Sequence, residues 1–527
     1  MGCLVSNQTL TTSSPRFSSN ATLKACIFAT GLAGIVAEYV MATIASYLLG
    51  DSVVQWTLTI SIMLFAMGVG SRLSKYVHKN LLDAFIIIEL ILSLLCAISA
   101  TSTYIVSANV DWVAPYIYLM SFAIGTLIGL EIPIATRLND VFEDLHINIS
   151  SVMEKDYYGA LLGGLIFAFV ALPYLGLTYT PIILGGVNFL VAAVLYWQNR
   201  PILKYGKKLL VACITLPMFL IALGVGAEPI IMYGEQKKYI DQVIFQQQTP
   251  YQRIVITRHK QDVWLYLNGN QQFSSYDEER YHEPLVHPAM LTSVAKERVL
   301  VLGGGDGLAV REVLKYDDVK EIVLVDLDPA VTKLGLEYPQ FIDLNEGSLK
   351  DPRVTIFNKD AYVYLQEDSG MFDIVIIDLP DPKTVGLARL YTREFYRLVQ
   401  RRTTPGGVVV TQATSPFFSS EAFLAILKTM RAADFSAVAY HTHIPTLGQW
   451  GWVLGMKTPA QDHEALKERI ESQDFDKLDT RYLNSDAMVG MLRFGKGVME
   501  KLDQIKPSDE LDLSVYHYYK NGSWEFY

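Results

Sequence analysis

Cysteine is scarce, with 4 in 527 residues. They are Cys3, Cys26, Cys96 and Cys213, all in the first half, and no CxxC or Cys/His ligand spacing occurs. That excludes zinc-finger, iron–sulfur and cysteine-nucleophile chemistry, and no metal or prosthetic group is expected. The thiols read as small apolar fillers. Charge is also low, at 19% of residues, with a formal net charge of −10. An acidic balance argues against a nucleic-acid partner and suits a cationic one. Residues 1–23 lack the basic start and cleavage site of a signal peptide. Rich in Ser and Thr, they read as a flexible tail. Gly2 and Cys3 fit a lipidation pattern, although a chain with several membrane spans gains little from a lipid anchor.

Apolar length stands where charge is missing. The chain is 51% hydrophobic, too apolar for a wholly soluble protein. Residues 24–228 read as a transmembrane α-helical bundle of about seven spans, by the rule of about 20 apolar residues per helix. The spans fall near 25–48, 53–71, 82–106, 113–135, 157–177, 179–197 and 209–227. Gly31, Gly34, Gly68, Gly70, Gly125, Gly129, Gly163 and Gly164 recur within them as points of close helix packing. Glu38, Glu89 and Glu131 are carboxylates inside apolar runs. They are either functional or structurally hydrogen-bonded acids. The chain is thus expected in a lipid bilayer, as an integral protein of the cell membrane. Basic linkers at Arg72, Lys75 and Lys79 and at Arg200, Lys204, Lys207 and Lys208 place the N-terminus inside. After seven spans they place the C-terminal half outside. The C-terminal half is nevertheless expected in the cytoplasm, so the two expectations conflict.

Beyond residue 228 charges and alternating patterns return. Residues 229–280 read as a small β-hairpin subdomain, with strands at 252–258 and 262–267 and a tight turn at Asn268-Gly269. Residues 281–527 alternate strands with helical patterns. The strands fall at 299–302, 322–325, 354–357, 374–377, 408–411, 437–441 and 452–457. This predicts a doubly wound, mostly parallel, Rossmann-like α/β domain of methyltransferase type.

The chain is organised around Arg298 to Asp328. A strand ends in Gly303-Gly304-Gly305-Asp306-Gly307, a helix follows, and a second strand ends in Asp326. Glycines let a backbone pass close under a ligand, and an acid at the second strand tip can grip a ribose diol. Asp360-Ala361 follows the third strand. There the acid either accepts from an adenine amino group, with Ala361 leaving room for the ring, or caps a helix. A buried strand then runs into Asp378-Leu379-Pro380-Asp381-Pro382. Two carboxylates on a proline-stiffened loop suit an amine substrate, which is charged near neutral pH and must lose a proton to attack. Tyr281-His282, in an acidic and aromatic stretch, reads as a ligand contact.

These stretches together resemble the spermidine synthase family, the polyamine aminopropyltransferases, and specifically its membrane-bound branch. The matching segments are YQRIVIT, LYLNGNQQFSSYDEERYHEPLVHPAM, VLVLGGGDGLAVREVLKY, VLVDLDP, DPRVTIFNKDA, FDIVIIDLPDP, LYTREFY, GQWGWVLGMK and RYLN, spanning about 250–485 in family order. The resemblance implies transfer of an aminopropyl group from decarboxylated S-adenosylmethionine, a co-substrate, to putrescine or a related polyamine. The products would be spermidine and 5′-methylthioadenosine. It implies that Gln252 contacts the nucleoside, Asp326 the ribose, and Asp360 with Ala361 the adenine. It implies that Gln272, Tyr281, His282 and Tyr482 line the polyamine groove, and that Asp306 meets an ammonium of donor or acceptor. Asp378 would take the proton of the attacking amine, and Asp381 would hold the acceptor. It also implies a homodimer. The sequence departs from the family in having Leu379-Pro380 between the paired acids, Lys383-Thr384-Val385 where Gly-Pro is usual, and Leu483 in its aromatic pair. Those changes bear on the acceptor groove. Two other function classes compete: a methyltransferase using intact S-adenosylmethionine, and a membrane polyamine sensor or transporter without turnover. Asp306 argues against the first, because a carboxylate on the glycine loop repels a donor that keeps its own.

Overall fold

A computed structural model describes residues 20–524, apart from 51, 111, 368–369 and 459–460. Gly2, Cys3 and most of the expected tail lie outside these residues. Asn20 to Leu23 already belong to the first helix. The chain divides into two compact units, one ending at Ile240 and the other Asp241–Tyr527.

The first unit is helical: α1 (Asn20–Leu49), α2 (Ser52–Leu73), α3 (Leu81–Ser107), α4 (Val113–Asn139), α5 (Leu145–Ile166), α6 (Gly176–Asn199) and α7 (Gly206–Lys238). Among the described residues six stretches are long and apolar enough to cross a membrane, and the fifth, Leu145–Ile202, is 58 residues long. One straight helix of that length would extend about 87 Å, against a bilayer core of about 30 Å. A π-helical segment, Phe167–Leu175, and Gly176, at φ +62°, interrupt it. The expected span at 157–177 contains that interruption, and the one at 179–197 follows it within Gly176–Asn199. Helices pack backbone to backbone at glycines. A Cβ at Gly129 would land on Met67 of α2, at Gly159 on Phe28 of α1, and at Gly185 on Ser93 of α3. Small residues at helix crossings permit such approach. The last helix continues past residue 228 to Lys238.

The second unit begins with a four-stranded antiparallel sheet in the order β1-β2-β3-β4: β1 (Gln242–Gln248), β2 (Arg253–His259), β3 (Asp262–Leu267) and β4 (Asn270–Ser274). Asn268 and Gly269, at φ +52° and +78°, make the turn between β3 and β4, as that dipeptide favours. A seven-stranded sheet follows, formed by β5 (Arg298–Gly303), β6 (Glu321–Asp326), β7 (Val354–Asn358), β8 (Phe372–Asp378), β9 (Thr403–Gln412), β10 (Ser436–Ile444) and β11 (Gly448–Met456). Its order is β10-β11-β9-β8-β5-β6-β7. Val299–Leu302 and Ile374–Ile377 are fully buried, as the central strands of a sheet covered on both faces must be. β7, β6, β5, β8 and β9 are parallel, whereas β11 runs antiparallel to both β9 and β10. The turn between β10 and β11 is too short for a parallel crossover, so a hairpin closes that edge.

Candidate active site

The site forms where β5 and β8 end side by side, with Gly303 paired to Asp378. Gly303 takes φ +83°, and a Cβ there would land on the Asp378 carbonyl, so only glycine fits. At Gly305 a Cβ would press on the Asp326 carboxylate. Instead, the Gly305 N–H donates to Asp326 Oδ2 at 3.0 Å, and the Asp328 N–H to Oδ1 at 2.9 Å. Burial pushes the Asp326 carboxyl up to about 6 despite those two donors, and Asp306 and Asp328 add to the rise. Gln252 lies beside this strand tip: its Nε2 donates to Asp328 Oδ2 at 3.0 Å, the oxygen that also accepts from the Thr249 hydroxyl. Asp360, after β7, caps the short helix Ala361–Gln366 by accepting from the Val363 N–H at 3.0 Å through Oδ1. Ala361 is buried beneath it.

The opposite wall is the helix Glu279–Thr292, which carries Pro284 and Pro288. Pro288 has no N–H for the Pro284 carbonyl. That carbonyl accepts from the Tyr440 hydroxyl instead, at 2.8 Å, which ties the helix to the sheet. The tie aims Tyr281 at the strand ends, and its hydroxyl donates to Asp378 Oδ1 at 2.6 Å. Burial is the main force pushing the Asp378 carboxyl up, to about 6; Asp306 adds to it, and His282 and the Tyr281 hydroxyl pull back. His282 is buried, with Nδ1 at 3.0 Å from Glu278 Oε2. Burial opposes its charge, but the Glu278 carboxylate prevails and raises its pKa. Asp306 is buried on the glycine loop and accepts the Leu308 N–H at 2.8 Å.

The second acid of the loop is held differently. Asp381 Oδ1 accepts from Gln412 Nε2 at 3.1 Å, and Oδ2 from the Tyr519 hydroxyl at 3.0 Å and the Thr414 hydroxyl at 3.4 Å. Burial raises its pKa, against the pull of Lys383 and those donors. Lys383 reaches back to Asn270 Oδ1 at 2.5 Å, in the strand that carries Gln272. Its own pKa is lowered by burial, with Asp381 acting the other way. Gln272 Nε2 donates to the Asn270 carbonyl at 3.1 Å. Tyr482 bonds Thr442 Oγ1 at 2.5 Å and lies under the Arg280 guanidinium, 4.5 Å from the ring centroid.

Residues 278–467 match the family model of the spermine/spermidine synthase domain. The chain is 42% identical to polyamine aminopropyltransferase 2 of Aquifex aeolicus, over 95% of this chain and 99% of that one. It is 37% identical to a polyamine aminopropyltransferase of Oceanobacillus iheyensis, over 94% of this chain and 96% of the relative. This chain belongs to the polyamine aminopropyltransferase family. Among solved structures, a spermidine synthase from Thermotoga maritima is 25% identical with a TM-score of 0.44, covering 50% of this chain and 87% of that one. Another, in complex with the transition-state analogue AdoDATO, is 26% identical, also with a TM-score of 0.44, covering 50% and 88%.

In this aminopropyltransferase the sequence-predicted residues fall into three groups. Tyr281, His282, Asp306 and Asp378 surround one another at the ends of β5 and β8. Gly303, Gly305, Asp326 and Gln252 gather around the glycine loop and the β6 tip, with Asp360 and Ala361 following β7. Asp381, Gln272 and Tyr482 are each engaged by residues that the sequence did not single out. Gln412 and Thr414 follow from β9, and Thr414 takes φ +57°, a rare conformation for a β-branched residue. Tyr519 arrives from a helix near the C-terminus, Ser514–Lys520, beyond any recognised motif. Glu283, the neighbour of His282, was readable in the same short stretch. It accepts three backbone N–H groups, from Arg481, Tyr482 and Leu483, at 2.7, 2.9 and 2.8 Å.

Proposed function

We propose that this aminopropyltransferase moves the aminopropyl group of decarboxylated S-adenosylmethionine to putrescine or a related amine, releasing 5′-methylthioadenosine. The observation that supports this most is the Asp378 carboxylate: half-buried at the end of β8, bonded by Tyr281, and flanked by His282 and Asp306. A pKa raised to about 6 suits a group that takes a proton from an ammonium near neutral pH. In the step itself the amine nitrogen forms a bond to the terminal carbon of the aminopropyl chain. The carbon–sulfur bond breaks, its electron pair stays on sulfur and neutralises the sulfonium, and the amine proton passes to Asp378. The donor is already activated, so the protein's work is orientation and one proton transfer.

On this reading Asp326 and Gln252 hold the ribose side of the donor, Gly303 and Gly305 let the loop pass beneath it, and Asp360 with Ala361 receives the adenine. Asp306 meets the donor ammonium. Tyr281, His282, Gln272, Asp381 and Tyr482 line the amine side. The helical unit crosses the bilayer as seven spans, supported by six apolar stretches of which one is interrupted at Gly176. Cytoplasmic placement of the catalytic unit rests on its nucleoside donor, and pairing of two copies on the family resemblance alone. The test is Asp378→Asn: turnover falls by about 100-fold or more while donor affinity stays within about threefold. Equal loss of binding and turnover would make Asp378 a structural residue and overturn its role.

A further inference from the structure

The loop after β8 carries a cation as well as its two acids. The Lys383 N–H donates to the Asp381 carbonyl at 2.7 Å, a tight turn that brings the chain back beside the acid. The Lys383 ammonium donates to Asn270 Oδ1 at 2.5 Å. It also lies 5.8 Å from the centroid of the Tyr519 ring and 5.9 Å from that of Trp524. The charges of Lys383 and Asp381 are near enough to act on one another. A carboxylate, an amide oxygen and two aromatic rings are the groups that recognise an alkylammonium. The side chain of a lysine ends in an ammonium on a four-carbon stem, so Lys383 resembles one end of an aliphatic diamine.

Both rings come from the end of the chain, outside the residues 278–467 that match the family model. That segment is tied in place. The Tyr519 and Trp524 rings lie 4.7 Å apart, the Trp524 indole N–H donates to the Tyr519 carbonyl at 3.0 Å, and the Ser523 N–H donates to the Phe418 carbonyl at 2.8 Å. The Tyr519 and Thr414 hydroxyls occupy Asp381 Oδ2, whereas Oδ1 accepts one N–H, from Gln412. A carboxylate oxygen has room for two donors. The second place on Oδ1 is filled by no described residue, although Asp381 is buried. We propose that Asp381, Asn270, Tyr519 and Trp524 form the subsite for the second ammonium of a diamine acceptor, and that Lys383 is its tethered occupant, which the diamine displaces. This rests on the reading of Asp381 as an acceptor contact. Lys383 is half-buried, so its head can leave towards water. A tethered group is present at high local concentration, and a diamine binds only the fraction of molecules in which that group has left. Lys383 therefore sets specificity: it weakens the hold on a second ammonium and leaves a single one unaffected.

The test is calorimetry on the full chain with methylthioadenosine bound, comparing putrescine with butylamine, which has the same carbon chain and one ammonium. In the unaltered protein the second ammonium should add less than about threefold to affinity. Lys383→Met keeps the length of the side chain and removes its charge. It should tighten putrescine about tenfold and leave butylamine within about twofold. In that background Tyr519→Phe, which keeps the ring against Trp524, should weaken putrescine about fivefold and leave butylamine unchanged. Affinity for putrescine that is unchanged or weaker in Lys383→Met, or that rises equally for both amines, would overturn the proposal, because Lys383 would then order the pocket or tune its charge as a whole. So would a strong preference for putrescine in the unaltered protein, since the subsite would already be open. Binding is read rather than turnover, so a failure here is distinct from a failure to transfer aminopropyl groups.

Discussion

In the proposed step Asp378 must be ionised to receive a proton, and a pKa raised to about 6 would then set an acid limit on turnover. The sign is direct: kcat/KM rises with pH through about 6 and levels above it, as the carboxylate becomes available. Once a sulfonium and an ammonium are bound, two positive charges favour the carboxylate, so the limit on kcat should lie lower than that on kcat/KM. Two pH profiles check this, and coincident limits would show that bound substrate leaves Asp378 untouched. Tyr281→Phe removes the hydroxyl at 2.6 Å that favours the charged form. The acid limit should then move upward and kcat fall by about tenfold, the value of a hydrogen bond to a charged group. An unchanged profile would assign Tyr281 to packing. Lys383 places a fixed cation beside Asp381, where an acceptor amine is expected. Lys383→Ala should lower KM for diamines about tenfold by removing like-charge repulsion. A raised KM would mean that Lys383 orders the groove rather than opposing its occupant.

At the scale of elements, the helix Glu279–Thr292 owes its position to a buried charge network at its start. Arg311 donates to both Glu278 oxygens at 3.0 Å, and Arg481 bonds the same carboxylate. Burial works against the Glu278 charge, but His282 and Arg311 hold its pKa well below the usual carboxylate range. Removing one partner of such a pair strands the other, at a cost of about 3–5 kcal/mol. Arg311→Ala should lower Tm accordingly and loosen His282, whereas a change under about 1 kcal/mol would show the network to be dispensable. One residue along, Glu283 pins Arg481 to Leu483 through three N–H groups. Glu283→Ala should speed amide exchange at those residues while that at β5 is unchanged. The parallel core of the sheet was legible because Val299–Leu302 and Ile374–Ile377 are unbroken apolar runs flanked by helical patterns. The β10–β11 hairpin was not, since a strand's direction depends on the length of its connection rather than on its own residues. β1 escaped notice because Gln246, Gln247 and Gln248 give an edge strand no alternation to read. The helix bearing Tyr281 was hidden by Pro284 and Pro288, which signal a break where tertiary bonding supplies the missing partner. Tyr519 could not have been foreseen, because nothing in a local stretch says that its hydroxyl will meet a carboxylate 138 positions earlier.

For the whole molecule, each unit has its own apolar core, one in the helices and others around the seven-stranded sheet. The acids and aromatic residues assigned to the reaction all come from the second unit. The curated relatives match along nearly the full length of the chain, so the apolar helices belong to the family pattern rather than to an appended segment. We propose that the aspartates at the strand ends admit a nucleoside sulfonium lacking its carboxylate beside a protonated amine. The most direct measurement incubates the full chain with putrescine and either decarboxylated or intact S-adenosylmethionine, and identifies every product. The account predicts methylthioadenosine and aminopropylated amine in equal amounts from the decarboxylated donor, and neither from the intact one. A methylated amine from the intact donor, with no methylthioadenosine released from the other, would contradict it.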